Sequence, residues 1–106
     1  MKVQAALLIS LGLVLSQPAY AEKAEDLLNK YNCHVCHLTH GKRLVGPSFE
    51  MVAKHYEGDS TAAGYLMQRV RAGGPGVWGS MPMPAAPAKV SDAEIKVMVA
   101  HILATQ

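Results

Sequence analysis

The chain has 106 residues, with ten Lys and Arg against eight Asp and Glu, five His and a formal net charge of +2. A near-balanced charge with no basic run excludes the electrostatic footprint of a nucleic-acid-binding protein. The length admits one small domain, of a size that usually needs a disulfide, metal or cofactor to complete its core.

Residues 1–21 are expected to lie outside that domain. Lys2 supplies a positive charge, Val3 to Leu15 form an almost unbroken apolar run, and Ala19-Tyr20-Ala21 gives a small-x-small cleavage site. This is the pattern of a secretory signal peptide. The run is shorter than the ~20 residues that span a bilayer, which favours cleavage before Glu22 over stable membrane insertion. No cysteine stands directly after that point to carry a lipid. The bacterial periplasm is the expected compartment, and 22–106 the expected folded domain. Without Lys2, nine Lys and Arg face eight Asp and Glu, so charge says little about partners.

Glu22 to Asn32 reads as a first helix, with Leu27, Leu28 and Tyr31 on one face and Glu25 and Asp26 in the first turn, where the dipole favours acids. It leads into Cys33-His34-Val35-Cys36-His37. A Cys-x-x-Cys-His pentad is the pattern of covalent c-type haem attachment. Each thiol can form a thioether to a vinyl group, and the histidine can bind iron through a neutral imidazole nitrogen. Cys33 and Cys36 are the only cysteines, so the motif uses the whole supply.

Three other uses of the motif are weaker. A thioredoxin-type pair opens a helix inside a βαβ unit, and no strand pattern precedes Cys33. Structural zinc usually draws on two separated pairs, unlike a site made of Cys33, Cys36, His37 and His40. A disulfide across so short a loop would constrain little of the unfolded chain, although exported thiols do tend to oxidise.

Residues 38–47 form a polar connection closed by Gly46-Pro47. Ser48 can cap a second short helix carrying Phe49, Val52, Ala53 and Tyr56 at helical spacing, which Gly58-Asp59-Ser60 breaks. A third helix is expected over about 60–72, with Ala62, Leu66 and Val70 on one face and Gly73-Gly74 as its stop. Gly74 to Val90 reads as an irregular loop, stiffened by Pro75, Pro82, Pro84 and Pro87 and carrying Trp78, Met81 and Met83. A rigid apolar loop of this kind suits a lid over something flat. The last helix opens on a capping box, Ser91-Asp92-Ala93-Glu94, with Ile95, Met98, Val99 and Ile102 as its stripe. No strand-like alternation is visible.

The ligand opposite His37 decides between a carrier and an open haem site. Met81 and Met83 lie in the rigid loop, while Met51, Met67 and Met98 lie on helices, where methionine is more often core filling. His34 sits inside the motif and cannot reach round the ring, and His40, His55 and His101 fall in polar surface patterns. Spacing alone does not choose between Met81 and Met83.

Over essentially the whole of 22–106 the sequence resembles the short bacterial class I cytochromes c, of the c-551/c-552 type. The resemblance is carried by the pentad, Leu44-Val45-Gly46-Pro47, Val52-Ala53-Lys54, Gly76-Val77-Trp78-Gly79, Met83-Pro84 and Val90-Ser91-Asp92. It implies an all-α class I cytochrome c fold, about four short helices wrapped around one haem c held by Cys33 and Cys36. It also implies His37 and Met83 as axial ligands, with Met81 at a position usually aliphatic. The Pro47 carbonyl would accept from the His37 ring, and Arg69 and Trp78 would bond a haem propionate. Family members carry Pro-Asn soon after the ligand methionine, whereas here the chain runs Ala85-Ala86-Pro87-Ala88-Lys89 with no amide.

The implied function is that of a monomeric, soluble one-electron carrier rather than an enzyme. Its implied partners are a cytochrome-reducing complex upstream and a nitrite reductase or terminal oxidase downstream, met in small transient contacts. The alternatives are a five-coordinate haem that binds gas, senses or reduces peroxide, and an electron-entry module that works only inside a larger complex.

Overall fold

A helix needs a start, an apolar face and a stop, and the residues that supply them are visible at the last three of the four helices here. A computed structural model describes the chain from Gln17 to Gln106, with side chains from Ala19. The expected leader therefore lies outside the described residues except for its last five positions. Those positions begin α1, Gln17–Lys30. Nothing between these residues and Glu22 breaks the helix. Glu25 and Asp26 consequently sit in the body of α1 and not in its first turn, contrary to the expectation from sequence. Asn32 ends the run in the left-handed conformation, φ 60°. Asparagine tolerates that region, and the turn it makes feeds a short 3-10 helix at Cys33–Val35.

Helix α2, Phe49–His55, is capped by the Ser48 hydroxyl, which accepts from the Met51 N–H. Helix α3 spans Ala62–Ala72 and stops at Gly73, φ +65°. Helix α4, Asp92–Leu103, opens on the complete Ser91–Glu94 capping box. It packs against α1, α2 and α3. Ile95, Met98 and Val99 of α4 are buried with Leu27, Leu28, Phe49 and Val90 in one contiguous core. Burying a side chain such as Leu28 or Ile95 is worth roughly 1.5–3 kcal/mol, so this one cluster holds the helices together.

The stretch after α3 differs from the expected irregular loop. Gly74–Gly76 (β1) and Gly79–Met83 (β2) form a two-stranded antiparallel ribbon, with Gly74 opposite Met83 and Gly76 opposite Gly79. Between those pairs β2 spends two more residues than β1, and Pro82, which lacks an N–H, falls in the bulged part. The ribbon is mostly exposed and so shows no alternation of apolar and polar residues. Backbone pairing alone makes it. The protein remains all-α in its core, with this ribbon as an attachment to the end of α3.

Candidate functional site

An apolar cleft is lined by Cys33, Cys36 and His37, by Val52 and Tyr56 of α2, by Leu66, Arg69 and Val70 of α3, and by Trp78, Met81 and Met83 of the ribbon. Leu28, Phe49, Met98 and Val99 of the core form its floor. Apolar walls from four elements with few polar groups suit a flat, largely apolar macrocycle.

Both cysteines are free and half-buried at this cleft. Burial pushes the Cys33 thiol up, opposite to the lowered thiol of a thioredoxin-type redox pair. No group of three or more His, Cys, Asp or Glu among the described residues could hold a metal ion. The zinc reading of Cys33, Cys36, His37 and His40 therefore lacks its donor cluster.

His37 is fixed with unusual care. Its Nδ1 lies 2.7 Å from the Pro47 carbonyl. A carbonyl only accepts, so Nδ1 carries the proton, and in the neutral ring Nε2 keeps its lone pair. The ring stacks on Phe49, centroids 5.5 Å apart at 20°. The backbone of Gly46 also runs close against the ring, where an added Cβ would stand 2.4 Å from His37 Cε1. Gly46, legible in the sequence only as part of a turn, is required here because the ring lies against it.

The two loop methionines separate in the structure. Met83 is half-buried at the ribbon's pairing with Gly74, whereas Met81 is 64% exposed. Met98 is core, as expected of a helical methionine, and Met67 packs against the core.

Arg69 is not a solvated helix charge. Its Nη2 donates to the carbonyls of Gly74 and Pro75, both at 2.8 Å, and so pins β1 to α3. Nε and Nη1 have no partner among the described residues and stay available at the cleft. Trp78 is half-buried, its ring edge-on to His55 at 5.0 Å. His55 and His40 are exposed, as their surroundings in the sequence imply.

His101 departs from that pattern. Its Nε2 donates to Glu25 Oε1 at 2.9 Å, while His34 Nε2 meets Glu25 Oε2 at 3.1 Å. His34 Nδ1 lies 3.1 Å from the His37 carbonyl. Glu25 thereby ties the pentad to both α1 and α4. Burial opposes its charge, but the bonds from His101 and His34 outweigh it and hold the carboxyl below the ordinary carboxylate range. Residues 76 apart in sequence make this contact, and no local spacing could have signalled it.

The Cytochrome c family profile matches residues 21–106. The chain is similar to cytochrome c-551 of Pseudomonas aeruginosa, 39% identical over 96 residues, which cover 91% of this chain and 89% of that protein. It is also similar to cytochrome c2 of Rubrivivax gelatinosus, 42% identical over 81 residues, or 76% of this chain and 94% of that one. Among solved structures, the crystal structure of Nitrosomonas europaea cytochrome c552 superposes with a TM-score of 0.71 at 38% identity. That match covers 77% of this chain and 99% of the other.

Proposed function

The chain belongs to the cytochrome c family, whose members carry electrons through one covalently attached haem c, and from that premise we propose a soluble periplasmic carrier with His37 and Met83 on its iron. When bound, the haem supplies a metal that holds one electron more or less without gaining or losing a substrate. The protein's part is to hold it, orient the ligands and keep water out. Cys33 and Cys36 anchor it through thioethers. His37 presents Nε2, with tautomer and ring orientation set by Pro47, Gly46 and Phe49. Met83 comes from the ribbon. Arg69, through Nε and Nη1, and Trp78 would donate hydrogen bonds to a haem propionate.

The observation that carries this reading is the His37–Pro47 bond at 2.7 Å inside an apolar cleft. It prepares one imidazole nitrogen as a ligand and spends the other. The greater burial of Met83 supports it over Met81 as the second ligand, and two protein ligands leave no position for a substrate. No described helix is long and apolar enough to cross a membrane. The leader pattern in residues 1–21 is what supports export as a cleaved, soluble form. Its redox partners then meet it on that side of the membrane, in a respiratory chain.

Ligand substitution tests the proposal. The wild-type ferric protein should show the weak far-red band of methionine ligation, and the ferrous form should resist carbon monoxide. Met83→Ala should abolish the band, open the iron to carbon monoxide and lower the potential, whereas Met81→Ala should leave all three nearly unchanged. A larger effect at Met81 would overturn the assignment. Rapid carbon monoxide binding by the wild type would instead favour the open, gas-binding reading.

A further inference from the structure

The segment that follows Met83 contains no amide side chain, and its hydrogen bonds to the rest of the fold include several from the last turn of α3. Val70 accepts from the Ala86 N–H at 2.9 Å. Arg71 Nη1 donates to the Pro87 carbonyl at 3.3 Å, and Nη2 donates to the Val90 carbonyl at 2.6 Å and to Asp92 Oδ1 at 2.8 Å. Gly73 lies so close that an added Cβ would stand 2.5 Å from the Met83 carbonyl and 2.6 Å from the Ala85 nitrogen. On the other side of Met83, Arg69 pins β1, whose Gly74 pairs with Met83.

We propose that Arg71 is the positioning residue of the methionine loop, holding the 84–90 segment against α3 and thereby keeping the Met83 side chain in the cleft. The inference rests on Met83 as ligand and adds the device that holds it. Two carbonyls three residues apart, plus a carboxylate, need several donors in a fixed plane. A guanidinium offers five N–H groups in a rigid fork, whereas a lysine ammonium is a point charge on a flexible stem. The contact with Asp92 is the least important of the three. That carboxylate is 85% exposed, and exposed ion pairs contribute little. Val90, by contrast, is fully buried in the core, so its carbonyl is a fixed point. The sequence departure after Met83 thus has a physical counterpart: loop restraint is supplied by a side chain from α3.

The test uses holoprotein carrying Arg71→Lys, Arg71→Ala or Asp92→Asn. The readouts are the far-red methionine band against temperature, carbon monoxide binding to the ferrous form, and the unfolding transition by far-UV circular dichroism. Arg71→Lys should keep the helices, lose the band well below global unfolding, and raise the carbon-monoxide-accessible fraction by about tenfold, the scale set by losing one charge-assisted hydrogen bond. Arg71→Ala should do more in the same direction, and Asp92→Asn should resemble the wild type. If Arg71→Lys lowers only global stability, with band and carbon monoxide binding unchanged relative to unfolding, Arg71 is merely structural and the proposal falls. An Asp92→Asn effect equal to Arg71→Lys would also overturn it, by placing the restraint in the ion pair. A wild type without the band would instead remove the Met83 assignment itself, a failure readable before any Arg71 variant is made.

Discussion

Replacing Gly46 with alanine perturbs His37, the proposed iron ligand, at one calculable contact. The added Cβ would stand 2.4 Å from Cε1, 2.8 Å from Nδ1 and 3.1 Å from Nε2 of His37. Carbon atoms settle near ~3.5 Å, so the ring must retreat by about 1 Å or the 45–47 backbone must give way. Gly46 has no positive φ, so the clash alone sets the penalty. Either movement stretches the 2.7 Å bond to Pro47. Losing that bond costs about 1 kcal/mol, and overpacking a tight site costs ~1–3 kcal/mol more. The sum, roughly 2–4 kcal/mol, corresponds to a fall in melting temperature on the order of 10–30 °C for a domain of this size. Denaturant unfolding of the holoprotein measures the loss, and proton NMR of the His37 Nδ1–H reports whether the bond persists. A Gly46→Ala protein destabilised by less than ~0.5 kcal/mol, with that proton still protected, would refute the close-approach reasoning.

The remaining expectations concern the two ends of α4. Ser91→Ala removes one half of the capping box and should destabilise the domain by about 1 kcal/mol in chemical denaturation, with spectra unchanged. Glu25→Gln removes the charge that His34 and His101 approach. Because the folded-state pKa of Glu25 is depressed, its stabilising contribution is complete above the ordinary carboxylate pKa and is lost as pH falls through the lower folded value. The wild type should therefore exceed the variant in stability at neutral pH, and the gap should close in acid. A gap that stays constant through the acid titration would count against the carboxylate. Its side chain is 39% exposed, so the effect should be modest and should shrink in salt.

What could be read in advance was local. Ser48, the Ser91–Glu94 box and the Gly73 stop are determined within a few residues, and each is found where its spacing places it. The stripe of α4 is equally direct, because a helix against the core must turn one face to it. The β1–β2 ribbon was not legible. Its strands are short, glycine-rich and exposed, held by backbone pairing and the Arg69 bonds rather than by any side-chain pattern. At the site, the pentad announces its chemistry in five letters. The supports of its residues do not: Gly46 against the ring, Glu25 reaching His34 and His101, and Arg71 spanning to Val90 all depend on tertiary placement.

The floor of the cleft and the centre of the core share the same side chains, Leu28, Phe49, Met98 and Val99. The prosthetic group is accordingly a structural member of the interior as well as a passenger. A copy without its pigment would leave these core side chains open to water at the cleft. The same side chains thus serve both the packing of the fold and the seat of the cofactor.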